Sequence, residues 1–266
     1  MTRDTFIVIG ASNVTIALPL IWQGVKRHAE RPTDLLVAAG HGRSFGQPNT
    51  VLGRTLPGIL SCGLWKRISE RPPQTSGQSD ADSGSTQPLA RAVITDVGND
   101  IMYGVSPDVI TDWVRECVDR LRASGVEVCL TGMPMGSLRQ LSRRRFNLFR
   151  RLLFPNSQLT WEVALSHAES VDNAIYQLAL QHSLQRRVPE ANWYGIDPIH
   201  IRRKHRRTAW TDFLSCLNPT LSAAPCSLTE SVRVWASKAE TINRRSRLCT
   251  TLQPAGQHDD KSLWLY

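Results

Sequence analysis

Four short pieces of this chain carry the groups that acyl transfer through a serine requires. Gly10-Ala11-Ser12-Asn13 offers a hydroxyl, and Asp197-Pro198-Ile199-His200 offers a carboxylate and an imidazole. Gly98-Asn99-Asp100 offers a side-chain amide. The glycine-rich loop 40–46 offers backbone N–H groups, among them that of Gly42, which no Cβ obstructs. Such chemistry needs a nucleophile, a base to take its proton, a carboxylate to orient the base, and donors for the oxyanion. The three-residue separation lets Asp197 fold back onto the Nδ1–H of His200 and leaves Nε2 free to face Ser12. Each piece alone has a plainer reading. Ser12 is a good helix cap, Asn99 a turn residue, and His200 a surface or structural histidine. What sets the four apart is that each follows a predicted strand, so all can meet along the edge where open α/β sheets place their ligands.

The elements that must position them are legible in the hydrophobic pattern. Residues 6–9 form a continuous apolar run stopped by Gly10, as in a strand of a parallel sheet covered on both faces. Residues 34–39, 90–97 and 126–131 read the same way, and residues 192–196 read as a shorter strand. Helical patterns lie between them, over 14–30, 57–70, 107–123, 138–154, 166–183 and 201–217. The third has Ser106 as cap, Pro107 in its first turn and Gly125 just past its end. Strands alternating with helices at this spacing predict a parallel sheet built of βαβ units. This α/β domain spans residues 1–217. Within it, residues 71–89 are almost all Pro, Ser, Gly, Gln, Thr and Asp and read as a flexible insertion. Residues 218–266 read as a weakly patterned extension, partly disordered, with a loose polar tail over 253–261.

Composition narrows the function classes without choosing one. The 266 residues, with 41% hydrophobic and 21% charged, fit a globular protein with a sizeable core. A net charge of +9 favours anionic partners or substrates. The six cysteines show neither a C-x-x-C pair nor zinc spacing and read as ordinary buried thiols. With no signal-peptide pattern at the N-terminus and no apolar run long enough to span a bilayer, a cytoplasmic protein is expected. Residues 138–154 form a basic amphipathic pattern: Leu138, Leu141, Leu148, Phe149 and Leu152 can share one face. Arg143, Arg144, Arg145, Arg150 and Arg151 belong to the same stretch and could contact an anionic surface.

The four pieces, in this order, resemble the blocks of the SGNH (GDSL-type) hydrolase family, over about residues 5–215. Gly10-Ala11-Ser12-Asn13 resembles the first block, with the nucleophilic serine. Gly42 is placed like the second-block glycine, whose amide joins the oxyanion hole. Gly98-Asn99-Asp100 resembles the third block, whose asparagine completes that hole, and Asp197 and His200 match the final D-x-x-H. The resemblance implies a three-layer, flavodoxin-like α/β/α sandwich with a mostly parallel sheet of about five strands. It also implies an esterase or acyl hydrolase with Ser12, His200 and Asp197 as the triad, and Ser12, Gly42 and Asn99 as oxyanion donors. No cofactor or metal is implied. Ala11 stands where the family usually has aspartate, and Val97 where it usually has glycine. Residues 71–89 and the C-terminal extension have no counterpart in it.

Two alternatives stay open at this point. Gly42-Arg43-Ser44-Phe45-Gly46 fits the G-x-S-x-G nucleophile elbow, which would make Ser44 the nucleophile. Only 41 residues precede it, fewer than that fold's strands need, and Pro48 disfavours a helix there. The second is a binding protein that uses arginine-rich segments 143–151 and 202–207 on nucleic acid or an anionic membrane. The arginines lack the interleaved aromatics of a stacking platform.

Overall fold

The computed structural model describes residues 3–51, 53–70, 88–244 and 247–266. The first strand, β1 (Asp4–Ile9), is buried along its whole length. Because both of its faces are covered, it shows no polar alternation. Ile7 and Ile9 pack with Leu36 on one side, while Phe6 and Val8 pack with Leu35 and Val37 on the other. In chain order the other strands are β2 (Thr33–Ala38), β3 (Asn49–Val51), β4 (Arg54–Leu56), β5 (Ala90–Ile94), β6 (Glu127–Thr131) and β7 (Gln185–Arg187). The last four are β8 (Thr241–Arg244), β9 (Arg247–Thr250), β10 (Gly256–His258) and β11 (Lys261–Leu265). Seven of them form the main sheet in the order β10-β11-β2-β1-β5-β6-β7, parallel except for β10 at one edge. The other four form a small antiparallel sheet, β3-β4-β8-β9.

Helices cover both faces, which gives the expected α/β/α layering. On one face lies α1 (Ser12–His28), whose Val14, Ala17, Leu18, Ile21 and Val25 form a buried stripe at helical spacing. Beside it are α7 (Arg206–Ser215) and α8 (Leu228–Ala236). The opposite face carries α2 (Leu64–Ser69), α3 (Pro107–Ala123) and α6 (Trp161–Gln181). Two shorter helices, α4 (Met135–Leu138) and α5 (Arg143–Leu153), cross the carboxyl side of the sheet towards α6. The chain leaves β1 for β2 on one side and then returns past β1 to β5 on the other. The loops after β1 and β5 therefore diverge, and a crevice opens between them at the switch point.

Several expectations change. The main sheet has seven strands where about five were expected, because β11 and β10 extend it beyond β2. At one end, residues 218–266, expected as a weakly patterned and partly disordered extension with a loose tail over 253–261, form regular elements among the described residues. They supply α8, β8 and β9, and β11 runs parallel beside β2 with Leu263 opposite Leu35. At the other end, β7 lies at 185–187 and not at 192–196, where Ala191–Trp193 is a 3-10 turn. Gln185-Arg186-Arg187 has no apolar pattern because it is a short polar edge strand. The helix expected over 57–70 is a 3-10 turn, Ile59–Ser61, followed by α2. The basic stretch 138–154 is not one helix. It breaks at Ser142, whose hydroxyl accepts from the Arg145 amide and caps α5. Leu148 and Leu152 consequently point outwards, 62% and 71% exposed. Ser106 precedes α3 with no side-chain cap bond. Four cysteines are buried, whereas Cys249 is exposed on β9 and Cys226 is half-buried. The flexible insertion expected over 71–89 lies, up to residue 87, outside the described residues. No described helix is long and apolar enough to cross a membrane.

Candidate active site

Helix α1 begins directly at the end of β1, and this junction sets the site. Ala11 is the N-cap and makes no side-chain cap bond; Ser12 is the first helical residue. Its hydroxyl is therefore not a cap. Ser12 Oγ lies 2.8 Å from His200 Nε2, and His200 Nδ1 lies 2.6 Å from Asp197 Oδ2. The other carboxylate oxygen of Asp197 accepts from the amides of Ile199 and His200 at 3.1 and 3.2 Å, so the carboxylate is fixed by its own turn. Burial pushes the Asp197 carboxyl up, but the His200 ring and the two amides outweigh it and hold it below the ordinary aspartate value. Asp197 is thus ionised at neutral pH and holds the Nδ1–H tautomer of His200.

The segment before this turn is pinned from α5. Arg145 Nη2 donates to the carbonyls of Gly195 and Ile196 at 2.8 and 2.7 Å. Other arginines of α5 have structural partners as well. Arg143 pairs with Glu162, and Arg150 donates to the Ser157 carbonyl. Arg144 and Arg151 are exposed.

Two residues that pattern reading did not single out hold the Ser12 turn to the histidine loop. Asp96, at φ 58°, occupies the left-handed region that aspartate tolerates better than most residues. Its carboxylate accepts from the amides of Ala11 and Asn13 at 2.9 and 3.1 Å, and from Asn13 Nδ2 at 2.8 Å. Asn13 Nδ2 also donates to the Ile199 carbonyl at 2.9 Å, and its Oδ1 accepts from the Ile201 amide at 2.9 Å. His200 is therefore gripped on both flanks by one side chain. With the Ala11 and Asn13 amides taken by Asp96, the Ser12 amide between them has no partner among the described residues. The sequence signal for both residues was slight: polar side chains just past β1 and β5.

The loop after β2 is held by the residues after β5. Asn99 Nδ2 donates to the Arg43 carbonyl at 3.0 Å, and Asp100 Oδ2 accepts from the Phe45 amide at 2.9 Å. Tyr103 Oη donates to the Gly42 carbonyl at 2.8 Å, and Asn49 donates to the same oxygen. Gly42 has φ 62°, and a Cβ there would lie 2.5 Å from Tyr103 Oη, so both backbone and space require glycine. The Gly42 amide makes no hydrogen bond among the described residues. Asp100 is fully buried, and burial raises its carboxyl, offset in part by the Phe45 amide and the Ser44 hydroxyl.

Ser44 itself is fully buried, and its Oγ accepts from the amides of Gly46 and Gln47 at 3.2 and 3.1 Å. It is a turn residue with no imidazole beside it, so the nucleophile-elbow alternative fails. Ser12 and Asn99 instead open onto an apolar cavity of about 130 Å³, with walls that include Met102, Phe146, Leu153, Phe154, Ala164 and Ala168.

No protein-family model and no curated protein sequence matches this chain. Among solved structures, TesA is similar at 16% identity over 82% of this chain and 100% of that one, with a TM-score of 0.45. The psychrotrophic esterase EstA from Pseudoalteromonas sp. is 12% identical over 80% of this chain and 97% of that one, with a TM-score of 0.44. AlinE4, described as an SGNH-hydrolase family esterase, is 12% identical over 81% of this chain and 93% of that one, with a TM-score of 0.40. Likeness at this level leaves the functional reading to the geometry of the site.

Proposed function

We propose that this protein is a serine ester hydrolase of SGNH type that acts on esters with an apolar acyl group. The observation that carries the reading is the unbroken chain from Ser12 Oγ through His200 to Asp197, at 2.8 and 2.6 Å, at the rim of an apolar cavity. Ser12 attacks the ester carbonyl while His200 Nε2 takes its proton, and Asp197 stabilises the imidazolium that forms. The oxyanion receives the Ser12 and Gly42 amides and the second N–H of Asn99, whose first is occupied by the Arg43 carbonyl. Ser12 also stands at the first turn of a 17-residue helix, whose dipole favours negative charge there. His200 returns the proton to the leaving alcohol, and water, activated by the same base, releases the acyl group from Ser12. The acyl chain occupies the cavity lined by Phe146, Phe154 and Ala164.

The test is covalent labelling with a fluorophosphonate, run on the wild type, Ser12→Ala and Ser44→Ala. Label that disappears only in Ser12→Ala, together with cleavage of a 4-nitrophenyl acyl ester, is the expected result. A folded wild type that neither takes label nor cleaves any of a panel of acyl esters would overturn the proposal.

A further inference from the structure

Two of the buried cysteines meet where α7 ends against the main sheet. Cys129 lies on β6, and Cys216 follows the last residue of α7. Their Sγ atoms are 2.9 Å apart, about 0.9 Å more than a disulfide bond requires. Arg187, on the edge strand β7, completes the cluster. Its Nε donates to Cys216 Sγ at 3.2 Å and its Nη2 to Ser215 Oγ at 3.3 Å, while the Asp212 carboxylate lies 3.9 Å from Nε. A concavity of about 390 Å³, whose walls include Glu127, His182 and Gln185, leads to both sulfurs. Cys216 is 8% exposed and Cys129 2%, so a small molecule entering there reaches Cys216 first.

The surroundings set this pair apart from the other two buried thiols. The thiolate is the reactive form of cysteine, and a guanidinium beside a sulfur that solvent can reach favours it. The Cys129 thiol and the Arg187 guanidinium both donate to Cys216 Sγ, and against the effect of burial they hold the Cys216 thiol below its ordinary value. Cys129 shifts upwards, because its S–H is the donor in that contact and it is buried. The two sulfurs are thus differentiated, one towards the thiolate and the other towards the thiol. Cys117, by contrast, is fully buried, and burial pushes its thiol up. Cys62 gives its S–H to the Ile59 carbonyl at 3.1 Å.

We propose that Cys129 and Cys216 form a redox-active dithiol that hydrogen peroxide converts to a disulfide. The Cys216 thiolate attacks one peroxide oxygen: an S–O bond forms, the O–O bond breaks, and the departing hydroxide takes up a proton and leaves as water. Cys129 Sγ then attacks the sulfenic acid on Cys216. The S–S bond forms, the S–O bond breaks, and the departing hydroxide carries the Cys129 proton away as a second water. Two electrons pass from the sulfurs to the peroxide, and both thiol protons end in water. The new bond ties β6 to α7, whose Arg206 at its other end donates to the Ile201 carbonyl beside His200. It closes a loop across 87 positions, so it restricts the unfolded chain while asking little movement of the folded one. None of this depends on which residue is the nucleophile for esters.

The test treats the fully reduced, folded wild type with a small excess of hydrogen peroxide, blocks the remaining thiols and maps the peptides without reduction. A peptide pair linked through Cys129 and Cys216 is expected, together with a Tm raised by roughly 4–16 °C that dithiothreitol reverses. In Cys129→Ala the sulfenic acid lacks its resolving thiol, so dimedone should label Cys216; in Cys216→Ala, Cys129 should stay reduced. Arg187→Gln should slow formation of the linked pair several-fold at neutral pH. A folded wild type whose exposed Cys249 is oxidised while Cys129 and Cys216 both stay reduced would overturn the inference. Oxidation that reaches Cys62 and Cys117 as fast as this pair would also overturn it. So would a linked pair that forms only after denaturation. The wild-type measurements decide the matter even if a cysteine variant fails to fold.

Discussion

Replacing Asn13 by alanine removes the side chain that joins the Ser12 turn to both flanks of the histidine. Three hydrogen bonds go: one to the Asp96 carboxylate at 2.8 Å, one to the Ile199 carbonyl at 2.9 Å, and one from the Ile201 amide at 2.9 Å. A neutral bond contributes about 0.5–1.5 kcal/mol and one to a charged group about 1.5–3 kcal/mol, so the three together amount to about 2.5–6 kcal/mol. All three are only part-buried, and water that replaces Asn13 recovers some of this, which leaves an expected loss of about 2–4 kcal/mol. In a chain of this size that lowers Tm by roughly 4–16 °C. The kinetic effect should exceed the share of residual stability lost, because a shift of about 1 Å in a reacting group costs about a hundredfold in rate. Asn13→Asp keeps the shape but sets a carboxylate against Asp96 and against the Ile199 carbonyl, so it should be the worse of the two. The assay pairs thermal unfolding with kcat on a short chromogenic ester, measured well below the variant's Tm. A kcat for Asn13→Ala within threefold of wild type, with an unchanged Tm, would refute the claim that this side chain positions His200.

Three further outcomes follow from the same geometry. Asn99→Ala removes a proposed oxyanion donor, worth about 3 kcal/mol in the transition state, so kcat should fall about a hundredfold or more with KM little changed; a raised KM at intact kcat would take Asn99 out of the hole. Asp197, whose carboxyl is held below its ordinary value of 3.8, contributes stability that is present above that pH and is lost as pH falls through the lower folded value. In pH-dependent unfolding, wild type should therefore be more stable than Asp197→Asn at neutral pH, with the difference shrinking only below about pH 4; a gap constant down to pH 2 would contradict it. Ala164→Leu places bulk in the wall of the apolar cavity and should lower kcat/KM for an octanoyl ester about tenfold or more while sparing an acetyl ester; equal losses on both would move the acyl chain elsewhere.

The groups of the candidate site were legible because each is announced locally. An apolar run that ends in glycine marks the end of β1, and Ser12 follows it. The three-residue spacing of Asp197 and His200 is itself the geometry of their contact. The parallel α/β architecture was legible for the same reason, since a strand buried on both faces writes its burial directly into composition. Ser44 shows the limit of a motif: G-x-S-x-G specifies a spacing, and only the burial of its hydroxyl shows that it closes a turn. The edges of the sheet were not legible, because β7 is polar and β11 is five residues behind a polar lead-in, and pairing with β6 and β2 makes them strands.

By itself, then, the sequence determined the candidate residues for the proposed chemistry and which central strands lie beneath them, because those properties are written within a few neighbouring positions. The tertiary structure decided what holds and surrounds them. Asp96 meets Ala11 across 85 positions, Asn13 meets Ile199 across 186, and Arg145 meets Gly195 across 50. Hydrogen bonds between such distant residues leave no periodicity in the chain, and neither does the placing of an apolar cavity beside Ser12, so only the folded structure brings them together.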